Sequence, residues 1–238
     1  MIKKCLIILV VVLMISLGLS LLLVQTGIVS ADDISVEIEG PVGPTNDSPF
    51  QITVSFNGIV TGFEVTEDLV VDNGTASNLQ DISTAESTIY TVDITPTADG
   101  LVTVDIGGDV VVEGNTPAES YTIVYDGTAP TVTIETTSHD PTGNPLIPIT
   151  LTFSEPVIDL TSTEIEESID NGTITYYASG AEVTSVVIRA ETYGEVTLSI
   201  PAGVVKDAAG NDNLASEIFT ITYIDQPWVT INQAEEQE

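Results

Sequence analysis

Cysteine is almost missing from this chain of 238 residues: Cys5 is the only one. It lies in an apolar leader, so the remainder can form no intrachain disulfide and must be held by core packing. The same scarcity excludes a cysteine nucleophile and cysteine-rich zinc sites beyond the leader. Basic residues are nearly as rare, with 4 Lys plus Arg against 36 Asp plus Glu and a formal net charge of −32. Two of those four, Lys3 and Lys4, lie in the acid-free leader, and without them the net charge falls to −34. Such a surface repels phosphate backbones and anionic lipid, which excludes nucleic acid as a partner. It attracts divalent cations and tolerates high salt. Histidine occurs once, at His139, and aromatic residues make up only 5% of the chain.

What is abundant is β-forming and apolar. The hydrophobic fraction is 42%, rich in Val and Ile, with Thr beside them, so the charge does not imply disorder. Residues 1–31 read as a secretory signal. Lys3 and Lys4 are followed by an apolar run from Cys5 to Val24 and the small residues Val29-Ser30-Ala31 before Asp32. The run is also long enough for an N-terminal membrane-anchor helix. Cleaved or anchored, the chain from Asp33 onward is expected outside the cytoplasm, because the two lysines favour the cytoplasmic side.

The remainder repeats. Gln51-Ile52-Thr53-Val54-Ser55-Phe56 matches Pro148-Ile149-Thr150-Leu151-Thr152-Phe153, and Asp72-Asn73-Gly74-Thr75 matches Asp170-Asn171-Gly172-Thr173. Gly100–Ile106 matches Gly194–Ile200, and Tyr121–Tyr125 matches Phe219–Tyr223. The offsets, 97, 98, 94 and 98, change only between strand-like runs, where loops absorb insertions. Apolar and polar residues alternate with period two in each run, as in antiparallel strands with one buried face. Several short strands per copy, broken by Gly, Asn and Pro, predict two tandem sandwiches of roughly 100 residues each. The third strand of each copy is expected near 66–72 and 163–169. Asn-Gly at 73–74 and 171–172 is expected to turn it into the fourth as a hairpin. No stretch after Ala31 shows a helical period.

The chain thus divides into a leader (1–31), a first domain (32–125), a linker (126–130), a second domain (131–224) and a tail (225–238). The linker is short and Pro130 limits its freedom, which predicts restricted bending between domains. The tail, with the only tryptophan, Trp228, echoes the linker and first strand of a further copy. Its residues 228–232 either fray with Trp228 packed on the domain end or pair with a sheet edge of another molecule.

Candidate chemistry is sparse. Ser138-His139-Asp140 are neighbours in sequence, whereas a catalytic triad is defined by converging geometry, so a turn is the simpler reading. Cation binding has a firmer basis. Strands alternating up and down from the linker bring Asp126, Glu155, Asp207, Asn211 and Asp212 to one end of the second copy. Asp72 and Asp99 of the first copy would face them. Calcium takes six to eight oxygens of this kind, so a structural Ca2+ at the junction stands against ordinary loop acids as the two readings. The first copy lacks the set, with Gly58 in place of Glu155 and Glu113 in place of Asp207. Tyr176, Tyr177 and Tyr193 are candidates for a carbohydrate platform or for covering sheet faces. Asn46, Asn73 and Asn171 fit the glycosylation pattern.

The run Phe153-Ser154-Glu155-Pro156-Val157, the Asn-Gly-Thr turns, Ile200-Pro201-Ala202-Gly203-Val204-Val205-Lys206-Asp207-Ala208-Ala209-Gly210-Asn211 and Asp126-Gly127-Thr128-Ala129-Pro130 together resemble the bacterial immunoglobulin-like repeats of surface proteins and adhesins. The resemblance covers nearly all of the chain after the leader. It implies an all-β, immunoglobulin-like fold and an extracellular stalk, spacer or adhesion role. It also implies a protein or glycan partner at the cell surface, and no catalytic residue.

Overall fold

The computed structural model describes residues 34–225. The leader and the Trp228 segment lie outside the described residues. Each half is a sandwich of a four-stranded and a three-stranded antiparallel sheet. In the first, β1 (Val36–Glu39), β2 (Phe50–Phe56), β5 (Ile89–Pro96) and β4 (Gly74–Asp81) are paired in that order. They face β3 (Leu69–Asp72), β6 (Gly100–Ile106) and β7 (Tyr121–Tyr125). The second repeats this arrangement. The order β8 (Val132–Thr136), β9 (Leu146–Phe153), β12 (Val183–Ala190), β11 (Gly172–Ala178) faces β10 (Ile169–Asp170), β13 (Gly194–Leu198), β14 (Phe219–Tyr223).

The period-two pattern fills the space between the sheets. Ile147, Ile149, Leu151 and Phe153 of β9 meet Val196 and Leu198 of β13 and Ile221 of β14 in one core. Ile52, Val54 and Phe56 of β2 meet Val102, Val104 and Ile106 of β6 in the other. The two cores share no residue. Each domain therefore buries its own apolar surface, as a chain without disulfides must.

Two expectations need correction. The predicted third strands begin instead as one-turn helices, α1 (Val65–Asp68) and α2 (Ser162–Glu166). In α2 the Thr161 hydroxyl accepts from Glu164 N–H, while the Glu164 carboxylate accepts from Thr161 N–H at 2.9 Å. This reciprocal capping box stabilises a helix start, and a single turn is too short to show apolar periodicity. Ile165 then plugs into the core, fully buried.

The Asn-Gly turns are also not hairpins. They carry the chain from one sheet to the other, since β3 and β4 lie in different sheets, as do β10 and β11. Asn73 and Asn171 take φ of 55° and 58°, as a left-handed turn residue must. Each amide nitrogen donates to the neighbouring β-turn: Asn73 to the Ala98 and Leu101 carbonyls, Asn171 to those of Thr192 and Glu195. Glycine follows for want of space, because a Cβ on Gly172 would lie 2.6 Å from Ile188 Cγ2 and 3.2 Å from the Arg189 carbonyl.

Candidate metal centre at the linker

β8 leaves the linker, and β9 returns antiparallel to it with Val132 opposite Phe153. The loop after β9 therefore lies beside the linker. β13 ends and β14 begins at this same pole, so the long loop between them closes over it. Asp126, Glu155 and Asp207 each bring a carboxylate oxygen there, all within 4.8 Å of one another. Asp207 is 3% exposed, and the other two are half-buried.

Asp207 is fixed by its own loop. One carboxylate oxygen accepts from Gly210 and Asn211 N–H at 2.7 and 2.9 Å, and the other from the Asn211 side-chain amide at 2.7 Å. Gly210 takes φ +99°, a conformation that glycine adopts without Cβ strain. The Asn211 amide also donates to the Asp126 carbonyl at 2.8 Å, while its oxygen accepts from Asn46 of the first domain at 3.1 Å. One asparagine thus links three parts of the chain. Asp99 adds a second clasp, accepting from Gly127 N–H at 2.7 Å and from the Thr128 hydroxyl.

The carboxylates crowd. Desolvation first, then the charges of Asp126, Asp207 and Asp99, hold the Glu155 pKa above its ordinary 4.5. Folded Glu155 therefore binds a proton more readily than unfolded Glu155. Stability should rise as pH falls through this raised value and be lost as pH climbs past it. Glu155→Gln in cation-free buffer at neutral pH should raise Tm and flatten that pH dependence, because it removes one of the crowded charges. A calorimetric pH series checks this, and an unchanged slope would leave the crowding without energetic weight.

Asp212 is turned elsewhere: it pairs with Lys206 at 2.5 Å, both exposed. Asp72 accepts from the N–H of Asn73 in its own turn and is not among the three clustered carboxylates. In the first domain the matching loop is shorter by four residues. Val110 reaches Asn115 across five positions where Val204 reaches Asn213 across nine. No Asp207–Asn211 turn exists there, and Glu113 accepts instead from the N–H and hydroxyl of Thr61.

The bacterial Ig-like domain family matches residues 33–123 and again 126–223. The chain belongs to that family. No curated protein is significantly similar in sequence. Among solved structures, the Escherichia coli adhesin FdeC is 11% identical, with 82% of this chain and 65% of that one covered at a TM-score of 0.45. Yersinia pseudotuberculosis InvD is 14% identical, covering 83% and 59% at 0.37. A glycosyl hydrolase family 2 member from Bacteroides cellulosilyticus is 13% identical, covering 80% and 28% at 0.24. The chain spans less than two thirds of each.

Within these bacterial Ig-like domains the remaining candidates take defined places. Asp140 accepts from Thr222 N–H at 2.9 Å, and among the described residues no hydrogen bond joins it to His139. The amide nitrogens of Asn46, Asn73 and Asn171, the atoms glycosylation would use, are all engaged in hydrogen bonds. The Tyr177 hydroxyl donates to the Leu160 carbonyl, whereas Tyr176 and Tyr193 are exposed. Asn46, which reaches the second domain, and Thr128, which ties the linker to the first, gave no signal of those roles in the sequence. Among the described residues no helix is long and apolar enough to cross a membrane.

Proposed function

We propose that the chain is an exported, non-catalytic spacer of a bacterial surface, two Ig-like domains joined at a junction that takes a calcium ion. The observation that carries this is the meeting of Asp126, Glu155 and Asp207 carboxylate oxygens within 4.8 Å. These residues come from the linker, the β9 loop and the β13–β14 loop, so one ion would tie three segments. Calcium suits such a group, because it accepts a variable number of carboxylate, carbonyl and water oxygens. Asn211 would brace the acids through its N–H groups while holding Asn46 across the junction. A stiff junction keeps whatever the chain carries at a set distance from its attachment. A protein or glycan at the cell surface would be its partner.

The test is rigidity. Residual dipolar couplings recorded on the full chain should fit a single alignment tensor for both domains in millimolar calcium. With a chelator, the two domains should differ in degree of alignment. Identical fits in both conditions would sink the stiffening role.

A further inference from the structure

The two domains share a scaffold at the pole where β7 and β14 end. Thr45 and Thr142 each bridge the last strand, donating to the carbonyls of Val124 and Thr222 and accepting from the N–H of Asp126 and Ile224. On this common backbone the side chains differ. Asn46 and Asp99, which hold the linker and the next domain, stand where the second domain has Gly143 and Tyr193. Thr95 stands where the second domain has Arg189, each pairing with the threonine of its Asn-Gly-Thr turn.

The consequence is a change in what the aromatic residue of the last strand meets. In the first domain the linker lies against Tyr125, and a Cβ on Gly127 would sit 2.6 Å from its hydroxyl. In the second, the equivalent Tyr223 packs against Tyr193 with ring centroids 5.0 Å apart and planes tilted by 38°. Tyr193 is 60% exposed. Together with Pro145, Arg189, Glu191 and Thr192 the two rings line an open pocket of about 420 Å³.

We propose that this pocket binds a neutral pyranose sugar. A pyranose offers an apolar C–H face to an aromatic ring and hydroxyls to polar groups at its rim. A few polar groups around an aromatic floor, in this volume range, are the usual makeup of a small-molecule site. Arg189, the only arginine, supplies donors and no acceptor, and among the described residues it makes no ion pair or side-chain hydrogen bond. Glu191 supplies the complementary acceptors. An acidic ligand fits less well. Glu191 lines the pocket, and Asp225 lies close enough to Tyr193 for its charge to raise the tyrosine pKa above 10.0. The net charge of −32 adds a repulsive field. The site is at the opposite end of the domain from the linker acids and goes beyond the spacer role, so it should work without calcium.

The full chain, in chelator, would be probed by saturation-transfer NMR and calorimetry with the methyl pyranosides of glucose, galactose, mannose and N-acetylglucosamine, and with glucuronate. At least one neutral pyranoside should bind. Its affinity should fall by roughly tenfold or more in Tyr193→Asp, which installs the first domain's residue, and in Arg189→Gln. Tyr176→Ala, equally exposed on β11, should bind as the wild type does. All three side chains are exposed, and unchanged melting would confirm that each variant folds. No transfer to any neutral pyranoside, transfer to glucuronate alone, or binding indifferent to Tyr193→Asp would overturn the proposal. So would binding that appears only after deletion of residues 226–238, because the tail would then be the occupant.

Discussion

Millimolar calcium should raise the melting temperature of the second domain by roughly 10 °C or more relative to chelator at matched ionic strength. The size follows from linkage: an ion present at about a hundred times its dissociation constant stabilises the folded state by ~2.7 kcal/mol. A small domain moves by ~4–8 °C per kcal/mol. The response should vanish in Asp207→Ala, which removes the buried carboxylate and the anchor of its loop. Because that variant also loses three hydrogen bonds, Asp126→Asn is the cleaner control, since its backbone contacts to Thr45 and Asn211 survive. Asp212→Ala should respond to calcium as the wild type does, because Asp212 pairs with Lys206 outside the cluster. Equal melting with calcium and chelator would return the acids to a solvated surface. A full response in Asp126→Asn would place the ion elsewhere.

Asn213→Ala should cost the second domain about 3–4 kcal/mol, near the upper end for a single substitution. Asn213 is 1% exposed and makes four hydrogen bonds. Its oxygen accepts from Val204 and Val205 N–H, and its amide donates to the Pro201 and Leu214 carbonyls. Alanine would leave those backbone groups without partners in a buried place, which costs more than a hydrogen bond is worth when made. Asn115 plays the same part in the first domain, accepting from Val110 N–H and donating to the Gly107 and Thr116 carbonyls. Asn115→Ala should therefore lower a different calorimetric transition. Asn213→Asp tests the donors: it keeps an acceptor for Val204 and Val205 but faces two carbonyls with a carboxylate. It should be as damaging as alanine. A loss under 1 kcal/mol in Asn213→Ala would mean that water replaces the side chain and that the loop is not held by it.

Much of the architecture was legible because it rests on local alternation and on repetition. Ile149, Leu151 and Phe153 declare a buried face within five residues, and the matching run in the first copy declares the second sandwich. The grouping of Asp126, Glu155 and Asp207 was legible by the same logic, since antiparallel strands fix which loops share a pole. What failed rested on single contacts. The Asn-Gly turns carry the composition of a hairpin, and only the partners of β3 and β4 reveal a crossing between sheets. The one-turn helix α2 is specified by the side chains of Thr161 and Glu164 rather than by any period. Asn211 meets Asn46 from 165 positions away, a pairing that neither neighbourhood announces. The aromatic pocket follows from Tyr193 and Arg189 standing where the first copy has Asp99 and Thr95. Tyr193 was singled out from the sequence, but its company of Tyr223 and Arg189 was not, because strand pairing brings them together from three separate segments.

The loop that is four residues longer in the second domain gives the array a grammar. A unit with the long loop can follow another, because its Asp207–Asn211 turn receives the preceding linker. A unit with the short loop has Glu113 committed to Thr61 and offers no such reception. Tandem duplication of a gene segment would therefore not be neutral to which unit is copied. Inserting a second long-loop unit behind the first domain would keep a clasped joint on its N-terminal side. Inserting a second short-loop unit there would leave the linker held from the preceding domain alone, by Asp99 and Thr45, with nothing to receive it on the other side. Shuffling the order of the two units would have the same cost, so their sequence along the chain is itself an inherited structural property.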